Sequence, residues 1–364
     1  MRVVTYPADT GGCGYFRIIW AAELLAAAGH DVEIRPPANR GLRLQIGADD
    51  HVEDVLDVDG VDVFVFQRLT HQWMAEAVPL LRAKGIAVVV DVDDDLSTVH
   101  PRNPAYESMH PRGAGKTGRG GTVHRHSWQH LAAACRDATL VTVSTPALLE
   151  RYARHGRGHV LYNHLPDTYY DVPRVDRDVI GWPAALASHP DDPAVLGGAV
   201  ARLVSEGADF RVVGDPTGVG RAFGLFRDPQ GRTGVDVAGW PAAVAGDVGV
   251  GIAPLADTAF NRAKSWLKPL EMSALGVPWV ASPREEYVRL HKLGAGVAGA
   301  LADSPRRWYR EMKRLVDSPS LRAERAEAGR AVAEGLRLSD NVWRWWEAWE
   351  RAREVQNGHK ACAA

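Results

Sequence analysis

Short apolar runs rich in β-branched residues alternate with stretches of helical periodicity along most of this sequence, and no other feature constrains the fold as strongly. In the first half, strands are predicted at residues 2–6, 31–35, 61–67, 86–90, 140–144 and 159–162. Amphipathic helices are predicted between them, for example at residues 15–28 and 70–84. Strands that alternate with helices form βαβ units, and these build a parallel sheet covered on both faces. The first half is therefore predicted to be an α/β domain.

The same alternation starts again near residue 179. Strands are predicted at residues 179–181, 210–214, 235–238, 248–253 and 277–281, and the chain is predicted to be helical from residue 305 nearly to its end. A length of 364 residues suits two domains of about 180 residues each. The predicted parts are a first domain at 1–172, a second at 173–338, and a C-terminal helix with its tail at 339–364. The polar stretch 166–178 is the predicted linker.

A stripe of large apolar side chains marks the last predicted helix. Val342, Trp345, Trp346 and Trp349 fall at positions i, i+3, i+4 and i+7, which form one face of a helix. Such a stripe is far more often a packing face than a ligand site, so it is predicted to be buried.

Charge and cysteine content exclude several classes of protein. The formal net charge is -2, from 43 Lys+Arg against 45 Asp+Glu, which argues against a general polyanion-binding protein but leaves room for a local basic patch. The three cysteines (Cys13, Cys135 and Cys362) are widely spaced and odd in number, so they suit a reducing compartment better than a disulfide framework. No apolar run approaches the ~18 residues of a membrane span, and no signal-peptide pattern opens the chain. We therefore expect a soluble cytoplasmic protein.

The segment at residues 260–278 carries the most chemical information. Ser265 is predicted to be the N-cap of a helix that places Lys268 and Glu271 on one face. A helix N-terminus attracts anions, and Lys264 and Lys268 beside it would hold a diphosphate without a metal ion. Glu271 would accept hydrogen bonds from both hydroxyls of a ribose. The alternative is a solvated charged face beside a buried helix.

This segment resembles the donor-binding segment of the retaining glycosyltransferases with a GT-B fold, glycosyltransferase group 1. In that pattern a polar loop and a cation precede the helix with the ribose-binding glutamate, and Gly-x-Pro and an apolar strand follow it. Gly181-Trp182 followed by His189-Pro190-Asp191 resembles the opening of the family's second domain. The donor-binding residues that the resemblance and the spacing together predict are Gly12, Gly14, Gly181, Gly214, Trp240, Asn261, Arg262, Lys264, Ser265, Lys268 and Glu271.

The resemblance implies two Rossmann-like domains with parallel sheets and a C-terminal helix that returns to the first domain. The first domain would hold the acceptor, and the second a UDP- or GDP-sugar, with no further cofactor and with retention of anomeric configuration. Two departures from the family pattern stand out. Ala263 occupies the place of the family's second glutamate, and residues 183–188 contain no cation. Neutralisation of the diphosphate would then depend on Arg262, Lys264 and Lys268.

A glycine-rich turn, Gly11-Gly12-Cys13-Gly14, follows the first predicted strand. Glycine at such a place lets the backbone approach a ligand closely at the start of a helix. The turn lacks the last glycine of a dinucleotide fingerprint, which disfavours a Rossmann dehydrogenase. A ligand-facing loop near the transferred sugar and a plain tight turn are both compatible with it.

Four carboxylates at residues 91–95 follow the predicted strand 86–90, at the edge where α/β proteins bind ligands. They would bind a metal as D-x-D, serve as catalytic or acceptor-binding acids, or cap a loop. Because the second half already supplies cations for a diphosphate, no metal is predicted and the second interpretation is preferred. Asp93 and Asp94 are the candidates to orient or deprotonate an acceptor hydroxyl.

Residues 96–122 are predicted to form a long loop. The basic segment at residues 102–125, most of it in this loop, contains five cations and the single acid Glu107. It would grip an anionic acceptor, including a nucleic-acid backbone, or form a solvated loop. The predicted acceptor-binding residues are Arg68, Arg112, Lys116 and Arg119. The alternatives to a glycosyltransferase with an unidentified acceptor are a DNA-modifying enzyme acting on hydroxymethylated bases, a non-catalytic nucleotide-sugar-binding scaffold, and a nucleotide-sugar epimerase.

Overall fold

The computed structural model describes residues 1–110, 115–116, 122–123 and 126–363. Its contacts divide the chain into two compact units. The first unit comprises Met1–Pro101, Ala105–Asn163 and Asn341–Ala364, and the second comprises Arg102–Pro104 and His164–Asp340. Among the described residues, none of the helices combines the length and the apolar character needed to cross a bilayer.

The first unit contains a sheet of six parallel strands in the order β10-β9-β6-β5-β1-β2. The strands of this unit are β1 (Arg2–Tyr6), β2 (Asp31–Ile34), β3 (Leu44–Ile46), β4 (Val52–Val55), β5 (Val63–Gln67), β6 (Ala87–Val92), β7 (Gly115–Lys116), β8 (Thr122–Val123), β9 (Leu140–Val143) and β10 (Gly158–Val160). Every residue of β5 and β6 is buried, as their continuous apolar runs predict. The predicted strands are confirmed, except that β6 extends through Val92, so Asp91 lies inside the strand and not after it.

Helices of the first unit connect these strands. They are α1 (Gly12–Gly14), α2 (Trp20–Ala27), α3 (Ala38–Gly41), α4 (Gln72–Ala83), α5 (Tyr106–Met109), α6 (Ser127–Asp137) and α7 (Pro146–Tyr152), and a π-helical turn at Tyr15–Ile19 joins α1 to α2. The antiparallel pairs β3–β4 and β7–β8 were not expected from the sequence. The interpretation of residues 96–122 as a loop is partly wrong, because a 3-10 turn at Leu96–Thr98 and α5 lie there.

The second unit also contains six parallel strands, in the order β13-β12-β11-β14-β15-β16. They are β11 (Ile180–Trp182), β12 (Phe210–Val213), β13 (Gln230–Arg232), β14 (Val250–Ala253), β15 (Trp279–Ala281) and β16 (Gly299–Leu301). The predicted strand at 235–238 is wrong, since those residues form a turn and β13 precedes them. All three residues of β13 are exposed at the sheet edge, so no apolar pattern marks this strand. The predicted α/β fold class with two parallel sheets is confirmed.

Helices cover both faces of the second sheet. They are α8 (Ala199–Ser205), α9 (Val219–Phe223), α10 (Trp240–Asp247), α11 (Ala259–Arg262), α12 (Leu267–Ala274), α13 (Glu285–Leu293), α14 (Pro305–Asp317) and α15 (Pro319–Glu334), followed by α16 (Leu338–Asn341) and α17 (Trp343–Ala363). One core cluster lies where Ile180 and Val212 of the sheet pack with Trp308 and Met312 of α14.

The tryptophan stripe of α17 packs within the first unit. Trp345 and Trp349 are fully buried, and the Trp345 indole donates a hydrogen bond of 2.8 Å to the carbonyl oxygen of Arg17. The Trp346 ring contacts the His30 ring at a tilt of 34°, with ring centroids 3.9 Å apart. The predicted burial is confirmed for Trp345 and Trp349, whereas Val342 and Trp346 are half-buried.

Candidate functional site

The carboxylate of Glu271 is the centre of a buried polar cluster in the second unit. Glu271 lies on α12 and is 2% exposed. Its Oε1 accepts a hydrogen bond of 2.6 Å from the Tyr169 phenol, and its Oε2 accepts one of 3.1 Å from Nζ of Lys268. The predicted i, i+3 pair on one helix face is therefore formed. Its phenol partner comes from far away in the sequence and was not predicted.

Lys268 also brings Trp240 into this cluster. Its ammonium lies 4.5 Å from the centroid of the Trp240 ring, at the first residue of α10. A cation over an indole face is attracted by the ring quadrupole, which favours this arrangement. Trp240, one of the predicted donor-binding residues, is thus beside a residue predicted to neutralise a diphosphate.

The two other predicted cations have partners of their own. The Lys264 ammonium lies 4.3 Å from the centroid of the Phe260 ring. The Arg262 guanidinium is exposed and donates to Asp257 at 2.7 Å, a carboxylate that also pairs with Arg284 at 2.9 Å. Exposed ion pairs of this kind contribute little to stability, so Arg262 can exchange its partner for a ligand at small cost.

Asp192 organises the loop between β11 and α8 and was not identified from the sequence. This 2% exposed carboxylate accepts three hydrogen bonds of 2.7 Å, two at Oδ1 from the Ala256 amide and the Asn261 side chain, and one at Oδ2 shared with His189 Nδ1. Asn261, predicted to bind the donor, is therefore held by Asp192. The sequence signal that could have identified Asp192 is the pattern His189-x-x-Asp192 in the first loop of the second unit.

The phenol of Tyr287 is affected by the charges of both Asp192 and Glu271. Burial raises the pKa of this phenol, and the charges of Asp192 and Glu271 raise it further. Both carboxylates therefore act electrostatically on one buried side chain of α13. The loop after β11, the segment after β14 and helices α12 and α13 converge at this place.

Packing explains two of the predicted donor-binding glycines. A Cβ on Gly181 would collide with the Val248 side chain, and one on Gly214, where φ is +146°, would lie 2.6 Å from the carbonyl oxygen of Ala184. Both positions therefore need glycine for the backbone to pack. The prediction of Ser265 as an N-cap is wrong, because Trp266 occupies the cap position and Ser265 precedes the helix.

In the first unit, the Asp9 carboxylate binds the backbone of the glycine-rich turn. Its Oδ1 accepts hydrogen bonds from the amides of Gly11 at 2.8 Å and Gly14 at 3.1 Å. A Cβ on Gly14 would collide with the Asp9 carbonyl oxygen, whereas one on Gly12 would meet Phe16 at an ordinary 3.9 Å. The turn is thus built around an internal carboxylate, which sequence reasoning missed. Gly12 is the open position of the two predicted glycines.

Arg68 joins the two predicted catalytic carboxylates. It directly follows β5 with a left-handed φ of +52°, and its guanidinium donates to both oxygens of Asp93, with the Nη2–Oδ2 bond at 2.7 Å. The same Nη2 lies 3.2 Å from Oδ2 of Asp94 and 3.3 Å from Sγ of Cys13. The predicted acceptor-binding arginine and the predicted catalytic acids therefore form one cluster at the carboxyl edge of the first sheet.

Burial sets the protonation chemistry of this cluster. It raises the pKa of Asp93 above the ordinary value for a carboxyl group, Arg68 opposes the rise, and Asp94 adds to it. It also raises the pKa of Cys13 to about 12, so the thiol stays protonated and is a poor nucleophile. Asp93 is consequently the stronger candidate for a proton acceptor.

The other two carboxylates of the 91–95 cluster have structural partners. Asp91 is paired through both oxygens with Arg17, at 3.0 and 2.7 Å, and accepts a further bond of 2.7 Å from Thr142. Asp95 caps the turn at Leu96–Thr98. The two arginines thus offset the charge repulsion expected of the cluster. Within the ranges that the structure describes, no three His, Cys, Asp or Glu side chains are grouped to hold a metal ion.

Part of the predicted basic acceptor segment lies outside the described residues. This applies to Arg112 and Arg119, and of Lys116 only the backbone, in β7, is described. Arg102 belongs to the second unit, where it pairs with Asp191. A DNA acceptor therefore stays a prediction.

Comparison with solved structures gives the identity of the fold. No protein-family model matches the chain, and no curated protein sequence does. Sucrose-phosphate synthase from Thermosynechococcus elongatus is similar over 96% of this chain and 99% of its own, with 13% identity and a TM-score of 0.60. A glycosyltransferase from Rickettsia africae is similar over 96% and 97%, with 12% identity and a TM-score of 0.62. Anabaena HepE, solved with UDP and glucose, is similar over 95% and 98%, with 13% identity and a TM-score of 0.61.

The chain has the GT-B glycosyltransferase fold. The fold that the resemblance in residues 260–278 implied is thereby confirmed.

Proposed function

We propose that the protein transfers a sugar from a nucleoside diphosphate sugar to an acceptor hydroxyl. The observation that carries this proposal is the buried carboxylate of Glu271, held between Tyr169 and Lys268 on α12. The fold supports it, since similar structures are glycosyltransferases and HepE was solved with UDP and glucose.

Glu271 is suited to bind a ribose. A carboxylate offers about four lone-pair positions. Tyr169 uses one on Oε1 and Lys268 uses one on Oε2, which leaves about one on each oxygen. Two vicinal hydroxyls can each donate to one of the remaining positions. The donor in this proposal is therefore a ribonucleotide sugar, a UDP- or GDP-sugar.

Cations of the same segment would stabilise the leaving diphosphate. As the glycosidic bond to the diphosphate breaks, negative charge develops on the phosphate oxygens, and Lys268, Lys264 and Arg262 would neutralise it together with the N-terminus of α12. This arrangement needs no metal ion in the proposed reaction. Trp240, beside Lys268, would contact the nucleotide base.

The Arg68–Asp93–Asp94 cluster would serve the acceptor. Asp93, or Asp94, would accept the hydroxyl proton as the acceptor oxygen forms its bond to the sugar carbon and the diphosphate departs. Arg68 would hold Asp93 in place through its two hydrogen bonds. Space around Gly12 is open, because a Cβ there would meet Phe16 at an ordinary 3.9 Å. Gly12 would therefore let the sugar approach the turn.

Calorimetric titration of UDP, GDP and dTDP into the protein tests this proposal, followed by nucleotide release from the matching sugar donor. Glu271→Gln should weaken nucleotide binding at least about tenfold, because hydrogen bonds to a charged group are worth ~1.5–3 kcal/mol. Glu324→Gln, at an exposed position of α15, is the matched control. Unchanged binding by a folded Glu271→Gln variant would overturn the proposal. Tight binding of a sugar donor without turnover would favour the scaffold alternative.

A further inference from the structure

The two ends of the second unit are hydrogen-bonded to each other. The long segment of this unit runs from His164 to Asp340, and both backbone polar groups of Leu165 bind residues near the end of that segment. Its amide donates to the Leu336 carbonyl at 3.2 Å, and its carbonyl accepts from the Leu338 amide at 2.7 Å. We call this paired region, residues 164–170 with 333–340, the link. The link therefore joins the beginning and the end of the long His164–Asp340 segment of the second unit.

Two tyrosines extend from the link in different directions. Tyr169, at the end of the 3-10 turn Asp167–Tyr169, is fully buried and donates to Oε1 of Glu271 at 2.6 Å. Tyr170 donates instead to the carbonyl oxygen of Ala333 at 2.7 Å, within the link itself. Tyr169 thus attaches the link to α12, whereas Tyr170 stabilises the link alone.

We propose that Tyr169 is a positioning residue for nucleotide binding, which holds the Glu271 carboxylate so that one lone pair on each oxygen stays available to a ribose. This inference rests on the proposed function, because it assigns Tyr169 its role through Glu271. Without the phenol, the carboxylate would be free to rotate and to give both oxygens to Lys268. The two positions needed by the vicinal hydroxyls would then no longer be available together.

The protonation of Tyr169 is consistent with this role. Burial raises the pKa of the phenol well above its ordinary value, and the negative charge of Glu271 raises it further. The phenol therefore stays protonated at neutral pH and remains a hydrogen-bond donor. A donor of fixed direction restricts the carboxylate more than water would, because Tyr169 itself is held in a packed core.

The test compares affinity for UDP with affinity for 2′-deoxy-UDP, since only UDP offers both hydroxyls. The wild type should prefer UDP, and Glu271→Gln should abolish the preference. Tyr169→Phe should lower the preference about fivefold, or ~1 kcal/mol, because it removes one of the two hydrogen bonds that position the carboxylate while Lys268 keeps the other. Tyr170→Phe is the matched control, because it removes a phenol from the adjacent residue without touching Glu271. It should keep the wild-type preference.

The ratio of the two affinities separates positioning from a merely structural role. A general loss of stability would lower the affinities for UDP and for 2′-deoxy-UDP by the same factor. The thermal unfolding temperatures of Tyr169→Phe and Tyr170→Phe measure any such loss. A preference lost in Glu271→Gln but unchanged in Tyr169→Phe would overturn this inference and leave the proposed function intact. Equal binding of both nucleotides by the wild type, or no binding of either, would overturn the inference together with the ribose-binding role of Glu271.

Discussion

Replacing Arg17 with methionine should destabilise the first unit by about 3–5 kcal/mol, because it breaks a buried ion pair by removing one partner. Both Arg17 and Asp91 are 1% exposed. The substitution removes the donors to both Asp91 oxygens and leaves Thr142 as the donor. It also deprives the Leu161 carbonyl and the Asn163 side chain of the Arg17 hydrogen bonds at 2.5 and 2.8 Å. Methionine fills a similar length, so the expected loss comes from the uncompensated charge more than from a cavity.

An exposed pair in the same unit provides the control. Arg43 and Asp57 are 71% and 57% exposed, and solvent screens such a pair to roughly 0–1 kcal/mol. Arg43→Met should therefore have almost no effect. The double variant Arg17→Met/Asp91→Leu should be more stable than Arg17→Met alone, since it removes both charges from the core.

Urea denaturation followed by circular dichroism measures these differences as shifts of the unfolding midpoint multiplied by the slope. Fluorescence adds a local probe, because the Trp345 indole donates to the Arg17 carbonyl oxygen. A loss below about 1 kcal/mol for Arg17→Met, comparable to that of Arg43→Met, would refute the reasoning. A double variant no more stable than the single one would refute the role assigned to the unpaired charge.

Three further outcomes are expected. Gly14→Ala should destabilise the protein by ~1–3 kcal/mol through collision with a backbone oxygen, whereas Gly12→Ala should cost under about 1 kcal/mol; equal unfolding temperatures would contradict this. Lys268→Ala should raise the dissociation constant for UDP about tenfold and Lys292→Ala, on an exposed position of α13, should not; equal constants would exclude the lysine from the donor site. Sugar transfer should fall as the pH drops through the raised pKa of Asp93, because the protonated carboxyl cannot accept a proton, and Asp93→Asn should abolish that dependence; an unchanged pH profile would assign the base elsewhere.

Local sequence pattern predicts much of this fold. Continuous apolar runs mark β5 and β6, because a strand buried on both faces needs apolar side chains on each of them. The end of α12 shortly before Gly276 was also predictable, because glycine commonly follows a helix end in the left-handed conformation that Gly276 adopts, with φ of +66°. By contrast, β13 lies exposed at the sheet edge, and no periodicity distinguishes it from a turn.

The candidate site likewise has features that the sequence predicts and features that it does not. The spacing of Lys268 and Glu271 by itself determined that they share a helix face, because the helical repeat acts over a few residues. The tertiary structure alone decided that Tyr169, 102 residues away, is the phenol that binds Glu271. It likewise decided that Asp192 holds Asn261. Hydrogen-bond partners of buried groups are chosen by which loops and helices meet in space, and periodicity along one segment contains no information about that meeting.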